Sequence, residues 1–235
     1  MCGRFFLKLE AEAIAALFDV ASWPPGFGLN LPRFNIGPGQ DIPVALARDG
    51  RRELIELKWG LVPSWADDPA IGFKTMNARS ETAHEKPAFR EAFRRRRCLI
   101  PASGFYEWKE GTAGSKQPYA AFRNGGEPYA MGGLWETWDD PVSGETLETC
   151  TVLTCPANTR LRALHERMPV IVPRVDWSMW LDPRVEGVAP LRAICQPDEA
   201  MRWSYHPVST RVNRVKNEGP GLLDEVMDES AGLFG

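Results

Sequence analysis

Proline and glycine recur so often in this chain that its regular elements must be short. There are 20 prolines and 21 glycines in 235 residues. The densest stretch, Ser22 to Gln40, holds Trp23-Pro24-Pro25-Gly26 and then Pro32-Arg33-Phe34-Asn35-Ile36-Gly37-Pro38-Gly39-Gln40. Proline lacks a backbone donor and fixes φ, while glycine reaches conformations other residues avoid, so this density marks irregular backbone. A connection this long is usually functional or disordered. The embedded Phe34 and Ile36 favour an ordered one.

Between such breaks the pattern is mostly β. Ile42–Ala47 and Glu53–Trp59 read as strands joined at Asp49-Gly50, a hairpin signal. Further strands are expected near Cys98–Pro101, Gly104–Lys109, Tyr119–Arg123, Tyr129–Trp135, Glu148–Thr154, Met168–Val172 and Trp203–Val208. Helices are expected at Ala11–Phe18, from Ser80 onward, and at Ala88–Arg97, Asn158–Leu164, Val175–Leu181 and Leu191–Cys195. The expected fold class is α+β: one compact domain, residues 2–223, with a bent, barrel-like, mostly antiparallel β core and short peripheral helices. Residues 224–235 are expected to form a mobile tail.

An apolar share of 43% suits a soluble domain with a proper core. No apolar run approaches the roughly 18 residues of a membrane span. Arg4 and Lys8 interrupt any signal-peptide core, and five scattered cysteines fit a reduced, cytoplasmic chain. A net charge of −3 argues against broad polyanion binding but permits a local basic groove.

The start, Met1-Cys2-Gly3-Arg4, carries a latent reagent. Removal of Met1 gives Cys2 a free α-amine and a thiol on adjacent carbons. Such a 1,2-aminothiol condenses with an aldehyde: the amine forms a Schiff base, and sulfur closes a five-membered thiazolidine. The amine titrates near roughly 8 and a free thiol near roughly 8.5, so both suit neutral pH.

Two other positions suggest proton transfer. His165, in Leu164-His165-Glu166-Arg167-Met168-Pro169, is a loop histidine beside a charged pair. Glu107 lies between Tyr106 and Trp108, and strand alternation sets Phe105, Glu107 and Lys109 on one face, Tyr106 and Trp108 on the other. Aromatic surroundings suit a carboxylate for acid–base work; an edge-strand Glu paired to Lys109 is the plainer alternative. His84 reads as a solvated residue of a polar helix, and His206 as a capping or surface one. No metal or cofactor is expected: Cys150 and Cys155 have the wrong spacing for a zinc knuckle, and phosphate-loop, dinucleotide and hydrolase-elbow signatures are absent. Arg4, Arg79, Arg160, Arg162, Arg167 and the Arg94 to Arg97 run, with Phe34, Trp65 and Trp108, supply the cations and aromatics of single-strand binding.

In order along the chain stand Cys2-Gly3-Arg4, Phe34-Asn35-Ile36-Gly37-Pro38, Trp59-Gly60-Leu61-Val62-Pro63-Ser64-Trp65 and Asn77-Ala78-Arg79-Ser80-Glu81-Thr82. Then come Cys98-Leu99-Ile100-Pro101, Gly104-Phe105-Tyr106-Glu107-Trp108, His165-Glu166-Arg167-Met168-Pro169 and Trp203-Ser204-Tyr205-His206-Pro207-Val208. This series resembles the SRAP (SOS-response-associated peptidase) family of abasic-site processing proteins from Cys2 to about Leu223. The resemblance implies a sensor of abasic sites in single-stranded DNA that crosslinks its N-terminal cysteine to the lesion as a thiazolidine. It implies removal of Met1, by autoproteolysis or by an aminopeptidase, and leaves open competing strand cleavage by a lyase step. It also implies that Asn77 orients the Cys2 amine while Glu107 and His165 shuttle protons, Glu107 serving in crosslink reversal too. By the same resemblance, Arg4, Arg79 and Arg162 contact phosphates and Pro38, Trp65 and Trp108 flank the bases. The expected partner is abasic single-stranded DNA, bound by a monomer and nucleoid-associated when engaged. A cysteine peptidase acting on other proteins and a non-catalytic DNA-binding module are the alternatives; Cys2→Ser separates them.

Overall fold

The computed structural model describes residues 2–110 and 116–227. In chain order the elements are β1 Phe5–Leu7, α1 Ala11–Phe18, β2 Arg33–Ile36, β3 Asp41–Arg48, β4 Arg51–Trp59, β5 Asn77–Arg79, α2 Arg90–Arg95, β6 Arg97–Ala102 and β7 Gly104–Glu110. They continue with β8 Lys116–Arg123, β9 Tyr129–Asp139, β10 Thr146–Pro156, β11 Arg167–Pro169, α3 Trp177–Leu181, α4 Val188–Ile194 and β12 Trp203–Pro207. The α+β class with a barrel-like core is what the molecule shows.

Five strands close on themselves. β4 pairs β3, β3 pairs β6, β6 pairs β9 and β9 pairs β10, all antiparallel, and β10 returns to β4 through a parallel pairing at Thr149↔Lys58. Closure leaves this ring without an edge strand. The β3–β4 hairpin turns at Asp49 and Gly50, both at positive φ (51° and 76°), as an Asp-Gly two-residue turn requires. Val44, Leu54, Leu99, Leu134 and Val152 are buried in the core around it.

The other sheet is open, ordered β12-β8-β7-β1-β2 and antiparallel throughout. Its inner face packs Phe5 on Trp59 (5.5 Å between ring centroids) and Phe105 on Trp203 (5.6 Å). Its outer face gathers Phe6, Tyr106 and Ala120 under Val208 and Val212. The expected alternation along β7 therefore holds. Gly104 is required where the sheet is tightest: a Cβ there would stand 2.1 Å from Phe6 Cζ and 2.6 Å from the Ala121 carbonyl oxygen.

Several local expectations change. The Ser22–Gln40 connection is ordered, as Phe34 and Ile36 favour, but carries a strand, β2, that was not expected. No helix starts at Ser80; the chain makes successive turns such as Thr82 N–H to Arg79 O (3.1 Å) and Glu85 N–H to Thr82 O (3.0 Å), and Pro87 stops them from propagating. The helix expected over Ala88–Arg97 shortens to α2, because Arg97 already belongs to β6. Asn158–Leu164 tightens to a single 3-10 turn, Leu161–Ala163, and the strand expected at Met168–Val172 is β11, Arg167–Pro169. His84 is half-buried rather than solvated, its ring 6.0 Å from that of Phe93. Near the C-terminus Val226 N–H donates to Pro207 O (3.0 Å) and Glu225 bridges Val208, while 228–235 of the expected tail lie outside the described residues. Among the described residues no helix is long and apolar enough to cross a membrane.

Candidate functional site at the N-terminal cysteine

Strand β1 lies antiparallel to β7, with Phe5 opposite Phe105 and Phe6 opposite Gly104. Tyr106 N–H donates to Arg4 O (2.9 Å), so the residues ahead of Phe5 run alongside Glu107. A side-chain clasp fixes them. Arg4 Nη1 donates to Asn35 Oδ1 (2.7 Å) and to Val212 O (2.8 Å), and its guanidinium lies 5.9 Å from the Trp108 ring centroid. Trp108 is tied in turn to Asn213 Oδ1 (2.8 Å). Asn35, fully buried, donates to Val212 O, Arg214 O and Asn217 O. The conformational freedom of an N-terminus is thereby removed two residues from Cys2, which is itself fully buried.

The barrel supplies the rest through β10. Short β5 continues one edge of β10 in parallel, Asn77 opposite Val152. Asn77 Nδ2 donates to Cys2 O at 2.8 Å, and Asn77 Oδ1 is buried with no hydrogen-bond partner among the described residues. Short β11 extends β10 antiparallel, Thr154 opposite Pro169, and His165 precedes it. Arg167 N–H donates to His165 Nδ1 (2.9 Å). A backbone N–H can only donate, so Nδ1 accepts and the neutral ring carries its proton on Nε2.

Arg167 does more than fix a tautomer. Its buried guanidinium donates to Thr154 O (2.7 Å) and Thr154 Oγ1 (3.2 Å) and forms a two-point ion pair with Glu81, the second contact at 2.9 Å. Arg167 thus straps the His165 segment to the segment that follows Asn77. Hydrogen bonding to Arg167 holds the Glu81 carboxyl below its ordinary range. Sequence reasoning missed Glu81, since nothing in Ser80-Glu81-Thr82 signals a partner 86 positions away.

Glu107 is 4% exposed and lies on β7 between β1 and β8, so the edge-strand alternative falls. Burial, and after it the negative charge of Glu107, push the Cys2 thiol up to about 12. At neutral pH this group is S–H, not thiolate. Cys98, Cys150 and Cys155 are buried core residues, and no metal-holding group of His, Cys, Asp and Glu exists among the described residues.

The candidate strand contacts divide into two sets. Arg79, two residues beyond Asn77, and Arg162 are exposed, Arg162 also reaching Ala157 O (3.2 Å). Trp65 is 58% exposed, and Pro38 is half-buried in the turn after β2. Arg4 and Trp108 hold each other in the clasp. The Arg94 to Arg97 run is largely structural. Arg96 pairs with Glu136 (2.6 Å) and Arg95 with Glu186 (3.0 Å), while Arg97 is buried and donates to the carbonyls of Phe93, Trp180 and Asp182.

A fully buried Cys2 bonded by Asn77, a buried Glu107 whose charge bears on its thiol, and a tautomer-fixed His165 ahead of β11 stand on a closed barrel flanked by an open sheet. The chain matches the SOS response associated peptidase (SRAP) model over residues 1–215 and belongs to that family. It is 38% identical over 224 residues to the abasic site processing protein YoqW of Bacillus subtilis, covering 95% of this chain and 99% of that one. It is 31% identical to YedK of Escherichia coli, covering 96% and 100%, and 34% identical to HMCES of Gallus gallus, covering 82% and 66%; both bear the same description. A solved protein from Bacteroides thetaiotaomicron shares the fold, with a TM-score of 0.87 over 96% of this chain and 100% of that one at 23% identity.

Proposed function

We propose that this chain processes abasic sites in single-stranded DNA by forming a thiazolidine crosslink through Cys2, once Met1 is gone. The carrying observation is the fully buried Cys2, with Asn77 on its carbonyl and the Glu107 charge bearing on its thiol. The names of the relatives supply the lesion; the aminothiol supplies a reaction that suits its open-chain aldehyde.

The state of the thiol orders the steps. Because it is protonated at neutral pH, the α-amine attacks first. Amine nitrogen adds to C1′, a proton moves to the carbonyl oxygen, and water leaves to give the Schiff base. Sulfur then adds to the imine carbon as the S–H proton passes to nitrogen, closing the ring with one water lost overall. Asn77, anchored on Cys2 O through Nδ2, offers Oδ1 to the amine. His165 Nε2–H is suited to protonate the departing oxygen, and Glu107 to receive and return the thiol proton. The exposed Arg79 and Arg162 suit the phosphates and Trp65 and Pro38 the neighbouring bases, with Arg4 and Trp108 at the margin. Only an aldehyde reacts, so no base sequence need be read.

A peptidase attacking other proteins would need a thiolate, and the burial of Cys2 opposes one. The test is intact mass after mixing with an oligonucleotide carrying one abasic site. A heat-stable adduct on the Met1-less chain, absent from a form with an uncleavable N-terminal extension, is expected. Full crosslinking by the extended form would overturn the amine-first route.

A further inference from the structure

A cleft of about 750 Å³ lies between the 158–163 segment and β12, bordered by Asn124, Glu199, Arg202 and Tyr205. Two connections tie it to the catalytic cluster. Segment 160–165 has Arg160 on the cleft and His165 at its far end, with His165 N–H bonded back to Leu161 O (3.1 Å). On the sheet side, Tyr205 meets Tyr119 edge-on (6.0 Å between centroids), and Tyr119 stands directly opposite Glu107. The register places Tyr205, Tyr119 and Glu107 on one face of the sheet.

The cleft combines an aromatic face with cations. Arg160 stands 4.5 Å over the Tyr205 ring with Arg202 on the same lining, and outside the cleft Lys109 stands 5.9 Å over the ring of Tyr119. Around the ring are groups suited to a base edge: Ser204 O–H donates to Asn124 Oδ1 (2.7 Å), and Glu199 accepts from Thr159 N–H (3.0 Å). An exposed cation–π contact is weak enough for a base to replace it, leaving the arginine for a phosphate. One carboxylate against two arginines leaves the cleft favourable to an anionic strand.

We propose that this cleft is a base-stacking subsite for a nucleotide flanking the lesion. The base lies on Tyr205, and Arg160 moves onto the adjoining phosphate. The subsite holds the strand on the side of the cluster where His165 and Glu107 stand. This rests on the single-stranded DNA reading above.

The full chain is titrated with single strands carrying a tetrahydrofuran site, which cannot react, and 2-aminopurine at each nearby position on either side in turn. One position should be quenched by the wild-type protein. Tyr205→Leu should remove that quenching and weaken binding about tenfold, while Tyr205→Phe behaves as wild type. Exposed Arg160, replaced as Arg160→Gln, should lower the salt dependence of binding by about one phosphate contact. Quenching that persists in a folded Tyr205→Leu, or its absence at every position in the wild type, overturns the subsite. An aldehyde strand that binds without forming an adduct overturns the crosslinking reading instead, because the stacking signal needs no reaction.

Discussion

The two sheets contribute to one site in opposite ways. The closed ring has no edge to offer, so the candidate residues it contributes, Asn77 and His165, sit on β5 and just ahead of β11, two short strands grafted to the end of β10. Arg167 then straps those grafts together. The open sheet brings Cys2 just ahead of its strand β1 and Glu107 on the neighbouring β7, with the clasp of Arg4, Asn35 and Trp108 holding the chain between. Under the proposed mechanism the barrel side orients the amine and donates a proton, whereas the open sheet supplies the reacting aminothiol and the carboxylate that takes its proton. Removing the reacting thiol should therefore abolish the product, and removing a group that orients or transfers a proton should only slow it.

Cys2→Ser carries the largest expected effect. The amine survives, so a Schiff base trappable by borohydride should still form, but the heat-stable adduct should vanish. Glu107→Gln comes next, with crosslinking slowed by roughly 10²- to 10⁴-fold, as for loss of a general acid–base group. The same substitution removes the second cause of the raised Cys2 pKa, so the thiol should titrate lower and alkylate faster while crosslinking falls. Parallel loss of both rates would break the assignment of Glu107 to proton transfer. Asn77→Ala and His165→Ala on the barrel side should slow the reaction without ending it, read by single-turnover rates.

The sheets should also differ in tolerance. In the open sheet, Gly104→Ala drives a methyl into Phe6 and the Ala121 carbonyl, costing about 3 kcal/mol or more. In the barrel, Gly133→Ala meets Cys98 Sγ and Ile100 Cδ1 at 2.8 Å and the Thr151 carbonyl oxygen at 3.0 Å, a smaller overlap than at Gly104, and should cost about 1–3 kcal/mol. Urea midpoints for the two variants check the order; equal losses would mean that the open sheet relaxes as readily as the barrel.

Much of this was legible because the signals are local. Helix α1 shows in Ala11–Phe18 and the β3–β4 hairpin in Asp49-Gly50, where chain neighbours decide the conformation. The faces of β7 follow from alternation, and Cys2, Glu107 and His165 each announce chemistry by residue type and setting. Asn77 does not: a bare asparagine became readable only through family resemblance. A barrel-like core was expected, but the pair of strands that closes it was not legible, because the β10–β4 pairing joins residues about ninety positions apart. The Arg94 to Arg97 run misled for the converse reason. Charge is visible in sequence, but its partners Glu136 and Glu186 are set by the fold.

The smallest effect concerns the strap. Glu81 has a carboxyl pKa below its ordinary value, with Arg167 as the first cause. A carboxyl depressed on folding stabilises above its unfolded pKa, near roughly 4.3, and the gain is lost as pH falls through the lower folded value. Glu81→Gln should therefore cost stability at pH 7 and nothing once both forms are fully protonated. Because Glu81 is 37% exposed on its side chain, solvent screening should hold the neutral-pH cost to about 0.5–1 kcal/mol. Denaturant midpoints of the two proteins should converge on acidification, and crosslinking by Glu81→Gln should slow more than stability alone accounts for, because the strap also joins the His165 segment to the segment that follows Asn77. A difference that stays constant down to the acid limit would show that the pair does not carry the linkage, and that β5 and β11 are held by β10 alone.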